Sequence, residues 1–133
     1  MAQAAQALEA IFYRGDDQNR CDYTPSGDDL DNGVIVDLGE RIGICTTTGG
    51  IEDGRLGSLA TANVFKIKKA VGTGVTFAQG AKVYFNTSTR TAVVAAGSNV
   101  IFIGIADEAA VTGDNHVKTD INKGPLQSIA DAT

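Results

Sequence analysis

The stretch that decides the fold is VIVDLGERIGIC, residues 34–45. Two runs rich in β-branched residues, Val34–Leu38 and Arg41–Cys45, flank Gly39-Glu40. Glycine at the first central position of a two-residue loop favours a type II′ turn, whose twist matches that of the strands it joins. The stretch therefore predicts an antiparallel hairpin. The same grammar repeats on both sides of it. Val64–Lys68, Ala81–Asn86, Val100–Ala106 and His116–Ile121 are short β-forming runs bounded by Gly, Asn, Asp or Ser, and no apolar stripe at helical spacing persists between them. Ala10–Arg14, Cys21–Thr24, Leu56–Thr61 and Thr91–Ala95 read as further short strands. The whole predicts an all-β chain, a compact antiparallel barrel or sandwich of about eight short strands. Residues 1–9 are expected to form a flexible arm, 10–122 the β-rich domain, and 123–133 a loosely ordered tail.

Alternation assigns faces within these runs. Phe65 and Ile67, Val83 and Phe85, and Val117, Thr119 and Ile121 should point inward, while Val64, Lys66, Lys68, Lys82, Tyr84, His116, Lys118 and Asp120 take the opposite face. Val100–Ala106 (VIFIGIA) is apolar on both faces. It predicts either a central barrel strand or a strand whose outer face is covered by another subunit.

Composition narrows the function classes. The chain has 133 residues, 43% of them hydrophobic, with 16 Gly, 2 Pro and no Trp. That is enough to bury one core without staples. Its net charge is −5, and its 11 Lys and Arg are dispersed. The exception is Lys66, Lys68 and Lys69, which read as the solvated face of a strand. Phosphate binding relies on clustered cations that release counterions, so no direct nucleic-acid partner is expected. The opening MAQAAQALEAIFY has no basic n-region and carries Glu9 within its weakly apolar run, so it predicts no secretory signal, and no stretch predicts a membrane span. Without a signal, a Cys21–Cys45 bridge has no support, and Cys45 reads as a small buried hydrophobe.

The inventory for catalysis is short. His116 is the single histidine, and its strand position puts it on an exposed face among Lys118 and Asp120, not in a cleft. One His and two distant Cys do not build a zinc site. Asp28, Asp29 and Asp31 match a calcium loop only in part: counting from Asp29, Glu40 falls at the twelfth position but Gly33 at the fifth. Gly80-Ala81-Lys82 fails as a phosphate loop, since Ala81 parts the Gly from the Lys and the following residues read as strand. Asn86-Thr87-Ser88 has the form of a glycosylation sequon, but without secretion it is a turn. No catalytic residue, cofactor or metal is expected.

Four segments, taken in order, carry a resemblance: Cys21-Asp22-Tyr23-Thr24-Pro25; Asp31-Asn32-Gly33-Val34-Ile35-Val36 with Leu38-Gly39-Glu40-Arg41-Ile42-Gly43-Ile44; Phe77-Ala78-Gln79-Gly80-Ala81-Lys82-Val83-Tyr84-Phe85; and Ile103-Gly104-Ile105-Ala106. Over about residues 10–122 the chain resembles capsid decoration, or cement, proteins of tailed phages and prophages, some of which carry a RecA/RadA-like recombinase label. The resemblance implies a β-rich trimer on the outside of an expanded phage head, clamping subunits of the major capsid protein. It would be made in the host cytoplasm. On this reading Leu8, Ile11 and Phe12 are the expected capsid contacts, and Ile101, Ile103 and Ile105 the expected subunit interface. The alternatives are a β-barrel adaptor or attachment module in a tail or fibre and, least favoured, a recombinase-like ATPase. With only Tyr13, Tyr23 and Tyr84 beside no Trp, glycan stacking has little to work with.

Overall fold

The structure is a computed structural model, and it describes residues 9–15, 19–72 and 74–124. Its strands are β1 (Ala10–Arg14), β2 (Arg20–Tyr23), β3 (Ile35–Asp37), β4 (Ile42–Ile44), β5 (Gly57–Ala60), β6 (Val64–Lys68), β7 (Lys82–Asn86), β8 (Thr91–Val93), β9 (Val100–Ala106) and β10 (His116–Ile121). Ten strands thus form among the described residues where about eight are expected. Three of them, β3, β4 and β8, hold only three residues each.

They make two antiparallel sheets, one of order β1-β6-β10-β9-β7-β8 and one of order β2-β5-β4-β3. Of the two expected architectures, barrel and sandwich, the sandwich forms. A lone parallel bridge between Lys69 and Ala92 brings β8 towards the end of β6 without closing a barrel. The hairpin forms between β3 and β4, with Ile35 opposite Ile44 and Asp37 opposite Ile42. Gly39 supplies the positive φ (107°) that its turn needs, and the Asp37 carboxylate accepts the Gly39 N–H at 2.8 Å.

The main core lies between the sheets. Phe65, Ile67, Val83, Phe85, Val117 and Ile121 of the larger sheet meet Ile35, Ile42, Ile44 and Ala60 of the smaller one. The larger-sheet members are those that alternation assigns inward, but Val64, expected on the opposite face, is also buried, at 4% exposure, because β1 covers it where the register slips at Arg14. Each fully buried Phe or Ile contributes on the order of 2 kcal/mol by leaving water. A second cluster, Cys45, Ile51 and Leu59, lies on the far face of the smaller sheet, with Cys21, Tyr23, Leu30, Val36 and Leu38 packed around it. The loops on either side of the hairpin close it, because Leu30 and Ile51 exchange backbone hydrogen bonds of 2.8 and 2.7 Å. Both cysteines are free thiols, and Cys45 is buried as expected.

Strand β9 departs from simple alternation. Its register against β7 shifts between Val83 and Tyr84, so Ile103 and Gly104 share one pairing position. The bulge turns Ile103 inward, where it is 1% exposed and part of the main core. Ile103 therefore has no surface to offer a neighbouring subunit. Gly104 lies so close to β10 that a β-carbon there would collide with the Asp120 carbonyl. Gly104→Ala should cost about 1–2 kcal/mol by forcing β9 and β10 apart, read as a shift of the urea midpoint. An unchanged midpoint would show that the close approach can relax.

Candidate interaction surface

Strand β1 pairs with β6 on one side and, among the described residues, has no strand on the other. Ala10 is buried against the core, but Ile11, Phe12 and Tyr13 are 37%, 44% and 38% exposed. Three consecutive large side chains are half open to water because the register shifts between Phe12 and Arg14. The shift makes Tyr13 a bulge residue, and bulges blunt uncontrolled strand addition at an edge. Phe12 leans edge-on against the buried Phe65 ring, with centroids 5.5 Å apart. Its outer half is free. Of the three expected capsid contacts, Ile11 and Phe12 both lie on this edge, Ile11 on the outer face opposite Lys66 and Phe12 on the core side against Phe65. Leu8 lies outside the described residues.

The outward face of the larger sheet adjoins this edge. Lys66 lies opposite both Ile11 on β1 and Lys118 on β10, and Lys68 lies opposite His116. The Tyr13 ring meets two of these cations, with the Lys66 ammonium 5.7 Å and the Lys118 ammonium 4.2 Å from its centroid. Lys118 also donates to the Tyr13 hydroxyl at 3.1 Å and to Glu108 at 3.2 Å. Those two bonds hold its pKa above the ordinary lysine value. A polar hollow of about 330 Å³ opens here, lined by Lys66, Glu108, Ala109, Asp114, His116 and Lys118.

His116 differs from its expected place as an open surface side chain. It is partly buried, and its Nε2 is shielded with no hydrogen-bond partner. Burial, and then the charges of Lys66 and Lys68, push its pKa below the ordinary 6.5. As pH falls through 6.5 the unfolded chain takes up this proton before the folded one does. The stability tied to His116 is therefore intact above about pH 6.5 and declines as pH falls from there through the folded-state pKa. Melting temperatures from pH 8 to pH 5 should fall less steeply for His116→Gln than for the unaltered chain. Parallel curves would contradict this assignment. Lys69 also departs from expectation: it is 3% exposed and donates to the Ala70 carbonyl at 3.1 Å, so it leaves the basic cluster.

Further along the same face, Tyr84 and Phe102 meet edge to face at 5.6 Å. Phe102 and the outer side of Ile105 face away from the core. Beside them is a hollow of about 260 Å³ whose walls include Asp37, Arg41, Ile42, Ile101 and Phe102. Of the three isoleucines expected at a subunit interface, Ile105 reaches this surface, while Ile101 packs against the core and is open only towards the hollow between β9 and the β3–β4 hairpin. Ile103 does not reach the surface.

Among the described residues, no three His, Cys, Asp or Glu side chains gather in a way that could hold a metal ion. Gly80-Ala81-Lys82 leads into β7 rather than into a helix. Among the same residues, no helix is long and apolar enough to cross a membrane. What the surface does offer is an open sheet edge and a long outward sheet face, which suit docking. A family model described as phage cement protein matches residues 15–121. The chain belongs to the phage cement protein family. As a phage cement protein it has a structural role at the phage capsid. The matched span contains β2 to β10, whereas the edge strand β1 precedes it. No match was found among curated proteins or among solved structures.

Sequence reasoning missed two polar clusters that hold the body together. The Asn122 side chain accepts from the Ile42 N–H and donates to the Ile42 and Thr61 carbonyls, all at 2.8 Å. The Glu9 carboxylate accepts from Arg90 at 2.6 and 3.1 Å and from the Ile35 N–H at 2.6 Å, while Arg90 donates to the Ile35 carbonyl at 2.8 Å. Glu9 is thus tied to the body at the point where β1 begins. The only sequence signal for either cluster is an Asn or Arg beside a turn, which many exposed residues share.

Proposed function

We propose that this phage cement protein, after synthesis in the host cytoplasm, docks as a homotrimer on the outside of the expanded head. There it holds neighbouring major capsid protein subunits together. The observation that carries the reading is the unpaired β1 edge with Ile11, Phe12 and Tyr13 exposed along it. An open edge can accept a strand from a partner, with backbone hydrogen bonds for affinity and alternate side chains for specificity. Ile11 and Phe12 are the capsid contacts in this reading, and Leu8 extends the same segment. The outward side of β9, with Ile105 and Phe102, serves the contact between subunits, where closed symmetry requires complementary patches, and Ile101 borders it through the hollow beside Phe102. Binding the assembled shell in preference to its dispersed subunits stabilises the lattice by mass action.

Cosedimentation with DNA-free expanded heads tests the contact. Ile11→Asp and Phe12→Asp place a charge where an apolar anchor should be buried, and each should weaken binding at least about tenfold. Ile11→Asp should melt within a few degrees of the parent, whereas Phe12→Asp, which loses its contact with the Phe65 ring, should melt lower, so binding is measured below both midpoints. Undiminished binding by both variants would remove the β1 edge from the contact. Light scattering tests the assembly: three chains of 13.8 kDa give about 41 kDa, and a 13.8 kDa species at micromolar concentration would contradict the trimer.

A further inference from the structure

We propose that the outward face of β6, through Lys66 and Lys68, receives carboxylate side chains displayed by the capsid lattice beside the apolar β1 edge. The inference rests on the docking reading above and specifies the chemistry of the partner.

The first observation is an arrangement that folding alone does not favour. Lys66 stands directly opposite Lys118 on the neighbouring strand, and like charges so placed destabilise a sheet. A chain with 16 acidic and 11 basic residues has carboxylates to spare for these positions. It carries lysines there instead.

The second observation is that the cations differ in their pairing. Arg14 is bonded to Asp107 at 2.5 Å, and Lys118 to Glu108 at 3.2 Å. Lys66 and Lys68 have no carboxylate partner among the described residues. Two unpaired ammonium groups on one sheet face make a local positive patch on a protein of net charge −5. Electrostatic complementarity of this kind steers encounter and fixes register.

The third observation is continuity. Ile11 is the pairing partner of Lys66, and the Tyr13 ring covers both Lys66 and Lys118. The cationic patch and the apolar edge therefore form one surface, an apolar anchor flanked by a charged rim, as in other docking surfaces. His116 lies beside the patch, facing Lys66 and Lys68 on β6, Lys118 on its own strand, and Glu108 and Asp114 of the segment between β9 and β10. As the single histidine, it reports on the local charge.

The test compares the parent, Lys66→Gln/Lys68→Gln and Lys66→Arg/Lys68→Arg in cosedimentation with DNA-free expanded heads at 50 and 500 mM salt. The parent should lose about tenfold in affinity across this range. The Gln pair should bind about tenfold more weakly than the parent at low salt, with little further salt dependence, and the Arg pair should bind like the parent. Circular dichroism and the melting temperature show that the Gln pair is folded, and the NMR titration of His116 then shows that it has lost its cations, because the imidazole pKa should rise while the fold is kept. If the Gln pair binds like the parent at both salts, the carboxylate contact is refuted while docking stands. If the parent does not bind the heads at all, the docking reading fails instead.

Discussion

Asn122→Ala should destabilise the fold by about 3–4 kcal/mol, the largest loss expected from any single side chain outside the apolar core. Asn122 follows β10 of the larger sheet, and its amide reaches β4 of the smaller one. There it accepts from the N–H and donates to the carbonyl of the same residue, Ile42. In effect the amide stands in for one residue of a neighbouring strand. A further bond reaches the Thr61 carbonyl between β5 and β6. Truncation to Ala strands three partly buried backbone groups, each worth on the order of 1 kcal/mol or more when left unpaired. It also places Ala at a φ of 60°, a conformation that Asn tolerates and Ala resists. Asn122→Gly separates these effects, since it loses the side-chain bonds but not the backbone conformation. It should still cost about 2–3 kcal/mol. Chemical denaturation measures both, and a loss below about 1 kcal/mol in both would show that water replaces the amide.

Glu9→Ala should cost about 2–3 kcal/mol through a different mechanism. The Glu9 side chain is only 13% exposed, while that of Arg90 is 38% exposed. The two make a bidentate pair that also binds the Ile35 N–H and carbonyl and sets the guanidinium 4.9 Å from the Phe85 ring centroid. Removing the carboxylate leaves the Ile35 N–H and a partly buried cation without their acceptor. Such one-sided truncations cost more than the intact pair contributes. The exposure of Arg90 keeps the figure below that of a fully buried pair. A double-mutant cycle with Arg90→Met should give a coupling energy above about 1 kcal/mol. A coupling near zero would reduce the pair to two independent contacts. The same loss bears on docking, because Glu9 fixes the start of β1, the strand with the exposed edge.

The parts of the fold legible in the sequence are those written locally. Gly39 marks the hairpin because its turn needs a positive φ. In β7 and β10 apolar and polar residues alternate, so their buried and exposed sides follow from order alone. The boundaries of β6, β9 and β10 are equally plain, since turn residues stop each run. The inward set is not fully legible where the register slips. In β9 the run VIFIGIA gives no sign that Ile103 and Gly104 share one position, and that slip moves Ile103 from a candidate interface into the core. Lys69 reads as the third member of a basic run, yet the chain bends there towards Ala92 and buries it. The Glu9–Arg90 and Asn122–Ile42 contacts join residues 81 and 80 positions apart, and no local pattern encodes such a meeting. The candidate surface was half legible. Ile11 and Phe12 stand out as apolar residues on a first strand, but their continuity with Lys66 and Tyr13 depends on how β1 registers against β6.

The central claim is that this protein acts by laying sheet edge and sheet face against an assembled shell. Cryo-electron microscopy of DNA-free expanded heads, reconstructed with and without added protein, tests it most directly. The account predicts added density on the outer surface that fits the two-sheet body, with β1 turned towards the shell. Heads that gain no outer density at saturating protein, or gain it only at the tail vertex, would contradict it.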